Sequence, residues 1–196
     1  LKKLSVDCHV VKAPSDLNKI QTMIFPGVGS FGDSSDQLKK QSLFEPIREW
    51  IINDRPFLGI CIGFQMLFDS SEESPGSEGL GIIPGKVIKF SEQTNLKVPH
   101  MGWNKVQIKN LNDPVWQKID DLTHFYFVHS YFPKPDNPGV SSSTTGYGVD
   151  FTSSIRFGNI FGTQFHSEKS QKSGLRLIEN FLKSTLVKSL TNSHWH

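Results

Sequence analysis

Pro56–Gln65, with the sequence Pro-Phe-Leu-Gly-Ile-Cys-Ile-Gly-Phe-Gln, is the most informative stretch of the chain. The apolar run Phe57–Ile60 is typical of a buried strand and leads into a cysteine, Cys61, which has a glycine two residues before it and another two residues after it. This is the spacing of a nucleophile elbow, a sharp strand-to-helix turn that holds its nucleophile in a strained conformation above two glycines. The sequence therefore predicts a strand, a nucleophilic cysteine at its carboxyl end and then a helix.

The predicted turn also gives the cysteine a suitable chemical environment. A helix that begins just past the sulfur favours the thiolate, and the backbone N–H of Ile62 would help to hold an oxyanion. The alternative is a buried structural cysteine, because free cysteine is among the most buried residue types. The paired glycines, together with a candidate base later in the chain, favour the catalytic interpretation.

Composition limits the classes of protein to consider. A chain of 196 residues corresponds to one domain or a little more, and its net charge of +2 suggests neither a nucleic-acid nor a membrane partner. No stretch of 18 apolar residues is present, and no signal peptide is recognised. The two cysteines, Cys8 and Cys61, favour a reduced, intracellular protein.

Hydrophobic periodicity predicts an open α/β sheet. The first part of the chain alternates strands with helices, and the second part is rich in short strands. We predict strands at Ser5–Val11, Thr22–Phe25, Phe57–Ile60, Lys86–Phe90, Lys105–Ile108, Phe125–Phe132, Val149–Arg156 and Asn159–Phe165, and helices at Asp33–Gln41, Phe44–Asn53, Phe64–Phe68 and Ser173–Leu186. This order predicts a mixed, mostly parallel sheet flanked by helices, with added antiparallel strands and with the elbow at the edge where such sheets bind ligands.

A glycine-rich loop, Pro26–Gly32, follows the predicted strand Thr22–Phe25. Its three glycines permit positive φ and a close approach of the backbone to a ligand. A phosphate-binding loop is one interpretation, but the G-x-x-x-x-G-K-[ST] pattern is absent. The other interpretation is a set of free N–H groups beside the elbow, which would supply further oxyanion donors.

A candidate base for the thiol follows the last predicted strand. His166 and Glu168 are two residues apart, so in an extended segment both side chains point the same way, and the carboxylate can orient the imidazole. A core histidine with satisfied hydrogen bonds is one alternative. A fragment of a metal site is another, although no further ligands cluster nearby. Together with the elbow, this pair suggests acyl transfer or hydrolysis.

Pro56–Gln65 and Thr163–Ser170 together resemble the class I (triad) glutamine amidotransferase family, which has a flavodoxin-like fold. Within that family, Pro26–Phe31, Pro99–Asn104 and Tyr126–Tyr131 are similar to the glutaminases of imidazole glycerol phosphate synthase. The resemblance covers most of the chain, from about residue 5 to residue 183.

The resemblance implies a role for each matching residue. Cys61 would attack the amide of L-glutamine and form a thioester, while His166 shuttles the proton and Glu168 orients it. The other implied roles are oxyanion stabilisation by Ile62, Val28 and Gly29, glutamine binding by Gln65, Glu73, Ser130 and Tyr131, and contact with the synthase by Trp103 and Asn104. From composition alone, Glu73 would be interpreted as a solvated charge.

The resemblance also implies a partner, a cyclase (synthase) barrel present as a separate subunit or as a fused domain. Ammonia would pass into this barrel, which makes imidazole glycerol phosphate and the aminoimidazole carboxamide ribotide in histidine biosynthesis. No cofactor and no metal are implied, and we expect a cytoplasmic protein, or an organellar one if it is a fused eukaryotic form. The alternatives are another class I glutaminase, such as that of pyridoxal phosphate synthase, and a non-catalytic regulatory homologue.

Two departures from the family pattern affect these expectations. Ser167 stands where the family usually has proline between the triad residues, which predicts a looser His166–Glu168 geometry. The family's first strand has no counterpart before Leu1, so we expect a sheet that lacks one strand. The expected domain is an N-terminally truncated glutamine amidotransferase domain over residues 1–188, followed by a tail or linker at 189–196.

Overall fold

The computed structural model describes Leu4, residues 6–91 and residues 96–192, with residues 186–192 described for the backbone only. These parts contain strands and α-helices in the expected mixture, together with short 3-10 turns. The strands are β1 Met23–Gly27, β2 Phe57–Cys61, β3 Ser70–Ser71, β4 Gly85–Lys89, β5 His100–Ile108, β6 Thr123–His129, β7 Tyr131–Pro135, β8 Ser141–Tyr147, β9 Val149–Phe157 and β10 Ile160–Thr163. The helices are α1 Phe31–Lys40, α2 Phe44–Ile52, α3 Ile62–Gln65 and α4 Gln171–Asn192.

Seven of these strands form one mixed sheet in the order β1-β2-β10-β9-β8-β5-β6, and β3, β4 and β7 form a smaller one. The predicted α/β architecture with added antiparallel strands is confirmed. Parallel pairing in the large sheet is confined to β1, β2 and β10, around the elbow, and the rest of that sheet is antiparallel. The parallel part is smaller than expected because tight hairpins join β8 to β9 and β9 to β10, and such short connections allow only antiparallel pairing.

The sheet separates two apolar cores, because successive side chains of a strand point to opposite faces. Phe57 packs with α1 and α2 in one core, whereas Leu58 and Ile60 pack in the other core, which α4 covers. Aromatic side chains dominate the second core, and Trp116, Phe125, Phe127, Phe161, Phe165 and Phe181 are all almost fully buried there. Both cores support the central strand β2, and so they hold Cys61 in place.

The strand predicted at Ser5–Val11 is wrong for its described part. Residues 6–11 form no strand, and most of them are exposed. A groove of about 1000 Å³ separates this segment from β1, the edge strand of the described sheet. The apolar and polar residues do alternate, but a strand also needs a neighbour for its backbone hydrogen bonds, and this segment has none among the described strands.

Other differences concern the limits of elements. The predicted strand Phe125–Phe132 is two strands, because the chain turns at Ser130 between β6 and β7. No strand was predicted at β8, where buried hydroxyl side chains hydrogen-bond hydroxyls of β9, with Ser143 Oγ 2.6 Å from Ser154 Oγ. Helix α4 continues to Asn192, beyond residue 189 where the tail was expected to begin, and residues 193–196 lie outside the described part. Within the described ranges, no helix has the length and apolar character needed to cross a membrane.

Candidate active site

The predicted elbow is present at the end of β2. Cys61 has φ 55° and ψ −107°, a strained conformation for a residue with a side chain. A Cβ atom on Gly59 would overlap the backbone of Gly63, and a Cβ atom on Gly63 would overlap the carbonyl oxygen of Phe25. Both glycines are therefore required sterically, as the sequence pattern predicted. The helix after the turn, α3, begins at Ile62 and is displaced from the predicted Phe64–Phe68.

The candidate base, His166, lies at the same cavity as the sulfur of Cys61. His166 follows β10, and its Nδ1 lies 2.7 Å from Glu168 Oε1. Because Nδ1 is engaged by the carboxylate, Nε2 is the nitrogen that remains for the sulfur. A 3-10 turn at Ser167–Lys169, rather than an extended segment, brings the carboxylate to the ring. The looser geometry expected from Ser167 is not observed in this contact.

The electrostatics of this group favour a charged imidazole. Burial alone would lower the pKa of His166, but its hydrogen bonds to Cys61 and Glu168, and the negative charges of those groups, raise it to about 9. Burial would raise the pKa of Glu168, whereas the hydrogen bond and the positive charge of His166 lower it. The imidazole is thus placed between two acidic groups, where it can hold a proton and pass it on.

A cavity of about 220 Å³ opens beside the sulfur. It collects residues from distant parts of the chain, including all those predicted for oxyanion stabilisation and for glutamine binding. Its lining includes Val28, Gly29, Cys61, Ile62, Gln65, Glu73, Ser130, Tyr131 and His166. The glycine-rich loop contributes an exposed Val28 and a Gly29 with φ 113° to this lining.

Glu73 is held in the cavity by a helix end. Its Oε2 accepts a hydrogen bond of 2.8 Å from the backbone N–H of Phe31, the first residue of α1. The neighbouring Ser74 accepts another from Gly32. Glu73 is therefore a partly buried, anchored carboxylate rather than the solvated charge that composition suggested. Since one oxygen is engaged, the other is available for a ligand.

Gln65 is oriented by its amide hydrogens. It is 2% exposed, and its Nε2 donates to the Tyr131 carbonyl (3.1 Å) and to Gln164 Oε1 (3.0 Å). Both hydrogens are thereby used, so Oε1 is left as an acceptor. Two acceptors, Gln65 Oε1 and the free oxygen of Glu73, suit an ammonium group.

The two residues predicted for the partner surface differ in environment. Trp103 is 47% exposed on β5, and Met101, two positions earlier on the same face of the strand, is 62% exposed. Asn104 points the other way, and its Nδ2 donates to His100 Nε2 (3.2 Å) and to the Gly146 carbonyl (3.0 Å). Trp103 is thus available at the surface, whereas the Asn104 amide is engaged inside the protein.

Sequence reasoning did not identify three buried polar residues near the site. Gln164 is fully buried, and its Nε2 lies 3.8 Å from Cys61 Sγ. His100 and His129 form a hydrogen-bonded pair, and His129 also lines the cavity. Gln164 could have been found, because it lies two residues before His166 and so shares its face of an extended chain. The histidine pair depends on strand register, and no local pattern indicates it.

Comparison with protein families and with curated relatives places the chain in a family. A model described as glutamine amidotransferase class-I matches residues 1–185. The chain is 42% identical to imidazole glycerol phosphate synthase subunit HisH of Rhodopirellula baltica, over 92% of this chain and 87% of that protein. It is 44% identical to subunit HisH of Pyrococcus furiosus, over 91% of this chain and 90% of that protein. The chloroplastic imidazole glycerol phosphate synthase hisHF of Arabidopsis thaliana is 44% identical over 95% of this chain and 31% of that protein.

Solved structures agree on the fold. One is a glutamine amidotransferase with a TM-score of 0.71 and 17% identity, covering 93% of this chain and 88% of that one. Another is PurLQS from Thermotoga maritima, with a TM-score of 0.63 and 16% identity, covering 84% of this chain and 79% of that one. With a family model that matches residues 1–185 and HisH relatives that are 42–44% identical over most of its length, this chain belongs to the class-I glutamine amidotransferase family.

Proposed function

We propose that the chain is the glutaminase of imidazole glycerol phosphate synthase, which hydrolyses L-glutamine to glutamate and ammonia for histidine biosynthesis. The observation that carries this proposal is the strained Cys61 in one cavity with His166, whose ring Glu168 holds at 2.7 Å. The HisH relatives match nearly the whole chain and favour this glutaminase over that of pyridoxal phosphate synthase. The intact Cys-His-Glu group argues against a non-catalytic homologue.

The proposed reaction proceeds through a covalent intermediate. The Cys61 thiolate attacks the carbonyl carbon of the glutamine side-chain amide, and the negative charge moves to the amide oxygen. The Ile62 N–H, with the Val28–Gly29 peptide once it is turned toward the cavity, would stabilise that oxyanion. His166 then gives its proton to the departing nitrogen, which leaves as ammonia, and a thioester remains. A water molecule gives a proton to His166 as it attacks the thioester, and glutamate is released with the thiolate restored.

The cavity recognises the two ends of glutamine differently. At one end, Gln65 Oε1 and the free Glu73 oxygen would accept hydrogen bonds from the α-amino group. At the other end, the side-chain amide would lie against the sulfur. The backbone at Ser130 and Tyr131, which lines the same cavity, would contact the α-carboxylate, which lies at the same end of glutamine as the α-amino group.

The proposed partner of this chain is a cyclase barrel that receives the ammonia. The Arabidopsis relative, hisHF, is longer than this chain, whereas the bacterial and archaeal relatives are named as HisH subunits. Exposed Trp103 and Met101 on β5 form an apolar surface suited to such a partner. We place the working complex in the cytoplasm, or in an organelle for a fused form.

The test compares the two cysteines of the chain. We expect Cys61→Ala to lower glutamine hydrolysis, measured as glutamate release with the cyclase partner and its nucleotide ligand present, by on the order of a thousandfold or more. The matched control is Cys8→Ala, since Cys8 is exposed and does not line the cavity beside the sulfur, and its activity should match the wild type. Hydrolysis that survives in Cys61→Ala would remove the proposal. A wild-type rate that does not respond to the partner and its ligand would indicate a free-standing amidase.

A further inference from the structure

Two buried histidines form a pair at the glutamine cavity, and one of them, His129, lines it. His100 begins β5 and His129 ends β6, and the two are paired in the antiparallel ladder. Their rings meet at 3.0 Å, from His100 Nδ1 to His129 Nε2. They are 3% and 6% exposed, and the proposed reaction uses neither ring.

The hydrogen bonds at the two ends of this pair determine which nitrogens carry hydrogen. A carbonyl oxygen can only accept, so His129 Nδ1, which lies 2.8 Å from the Tyr131 carbonyl, must carry a hydrogen. In a neutral ring His129 Nε2 is then an acceptor, and His100 Nδ1 must be the donor to it. The remaining nitrogen, His100 Nε2, is an acceptor, and it faces the Asn104 amide nitrogen, a donor.

The orientation of the Asn104 amide supports this direction independently. Its nitrogen also donates to the Gly146 carbonyl, and its Oδ1 accepts from the Lys105 N–H at 2.8 Å. If the amide were rotated by 180°, Oδ1 would face the Gly146 carbonyl oxygen and Nδ2 would face the Lys105 N–H. The chain of donors therefore runs one way, from Asn104 through His100 and His129 to the Tyr131 carbonyl.

The chain works only while both rings are neutral, because a proton added to either would set two donors against each other. Burial lowers the pKa of His100 to about 4. Burial also lowers the pKa of His129 to about 3; the hydrogen bond to the Tyr131 carbonyl opposes this shift, and the charges of His100 and His166 add to it. His100 is further enclosed by stacking on Phe127 (4.8 Å between ring centres) and on Tyr147 (4.0 Å).

The Tyr131 carbonyl links this chain to the glutamine cavity. It accepts from His129 on one side and from Gln65 Nε2 on the other. The second hydrogen of Gln65 goes to Gln164, whose own amide nitrogen approaches Cys61 Sγ. This carbonyl and Gln164 together fix which way the Gln65 amide points, and so leave Gln65 Oε1 free for a ligand.

We propose that His129, held in its Nδ1–H tautomer by His100, is a positioning residue for the α-amino end of glutamine. It acts through the Tyr131 carbonyl and the Gln65 amide, and it touches neither the sulfur nor the reacting carbon. The inference rests on the proposed glutaminase function. It predicts that loss of the His129 donor weakens glutamine binding and leaves the chemical steps nearly unchanged.

The experiment uses two substitutions of one residue. His129→Phe keeps the ring shape and removes both hydrogen bonds, whereas His129→Asn keeps a donor near the position of Nδ1. We expect His129→Phe to raise the KM for glutamine about tenfold, the usual effect of one lost hydrogen bond, with kcat within about threefold of the wild type. His129→Asn should recover most of that loss. The matched control is Trp116→Phe, which removes a buried hydrogen bond to Ser142 in the same core away from the cavity, and its KM should stay at the wild-type value.

Two further measurements distinguish a failure of the positioning role from a failure of the proposed glutaminase function. Glutamine affinity, measured by calorimetry in the Cys61→Ala background, should fall about tenfold in His129→Phe. Such a fall would show that the higher KM comes from weaker binding. Nitrogen-15 NMR of the wild-type rings at neutral pH should show the Nδ1–H tautomer for both His100 and His129, and this measurement needs no activity.

A ring found in the Nε2–H form, or an affinity unchanged in His129→Phe, overturns the positioning role while leaving the glutaminase intact. A wild-type protein that neither binds nor hydrolyses glutamine overturns the proposed function itself.

Discussion

His166 and the pair His100–His129 are similarly buried and yet differ in charge, since His166 is protonated at neutral pH and the other two rings are neutral. All three rings are at most 6% exposed. The pKa of His166 is raised to about 9, and those of His100 and His129 are lowered to about 4 and about 3. His166 lies between a carboxylate and a thiol, whereas the pair contacts a carbonyl, an amide and each other. Burial disfavours the charged imidazole in both places, and only an acidic neighbour reverses that effect.

The comparison explains how the site can carry charge in a protein interior. Charged or proton-transferring groups line the cavity where a polar ligand would enter, and the neutral His100–His129 pair adjoins them through His129. The charge of His166 is itself one of the causes that lower the pKa of His129. We expect the two groups of histidines to affect different kinetic constants, with His166 acting on kcat and the His100–His129 pair on KM.

The largest expected effect is that of His166→Gln. This substitution removes the proton carrier, so kcat should fall on the order of a thousandfold or more, while the KM for glutamine stays within a few-fold. Steady-state glutamate release with the cyclase partner measures both constants. The comparison fails if His166→Gln and His129→Phe divide their effects between kcat and KM in the same way.

A smaller loss is expected from Glu168→Gln. The amide can still accept the hydrogen bond from His166 Nδ1, but it has no charge, so the pKa of His166 should fall from about 9 toward its ordinary value. We expect kcat to drop by less than in His166→Gln, since removing the orienting carboxylate of a triad costs less than removing its base. NMR titration of the His166 ring gives the pKa directly. An unchanged pKa would mean that Cys61 alone holds the imidazole charged.

The KM for glutamine should rise about tenfold in Glu73→Gln, because a charge-assisted hydrogen bond to the glutamine α-amino group becomes a neutral one. The amide oxygen can still accept from the Phe31 N–H, so α1 should keep its cap. The control is Glu72→Gln, one residue away, whose carboxylate bonds the Lys89 N–H at the surface and lies outside the cavity lining. Equal KM values for the two variants would mean that Glu73, like a solvated charge, does not bind glutamine.

The smallest effect is on stability, and its sign differs between the two regions. Between about pH 4 and the ordinary histidine value of 6.5, the unfolded chain binds protons that folded His100 and His129 refuse, so their contribution to stability is lost as the pH falls through that range. His166 behaves oppositely, since it keeps a proton when folded, and its contribution is lost as the pH rises from 6.5 through about 9. Urea unfolding at a series of pH values measures the free energy of unfolding, and so its slope against pH on the acid side and on the alkaline side. His129→Phe should reduce mainly the acid slope, and His166→Gln mainly the alkaline slope, because the charge of His166 contributes only in part to the lowered pKa of His129.

Local patterns were sufficient wherever the chemistry comes from neighbours in the chain. The elbow was predictable because Gly59 and Gly63 are required by contacts made within a few residues of Cys61 or with the adjacent strand. The pairing of His166 with Glu168 was predictable from a separation of two residues, although a 3-10 turn produces it. The helices α1 and α2 followed from their apolar spacing.

Long-range geometry decided the rest. The alternating residues 6–11 do not form a strand, because pairing depends on a neighbour that no local pattern reveals. Glu73 could not be distinguished from its solvated neighbour by composition, since its environment is set by the first N–H of α1, 42 residues earlier. The bond between His100 and His129 arises from the register of β5 against β6.

The identity of the nucleophile, its base and the orienting carboxylate was thus encoded locally, in glycine sterics and in the periodicity of a few consecutive residues. The charge of each buried histidine was decided by tertiary structure. An imidazole becomes charged or stays neutral according to the groups that folding brings within hydrogen-bonding distance, and those groups come from distant parts of the chain.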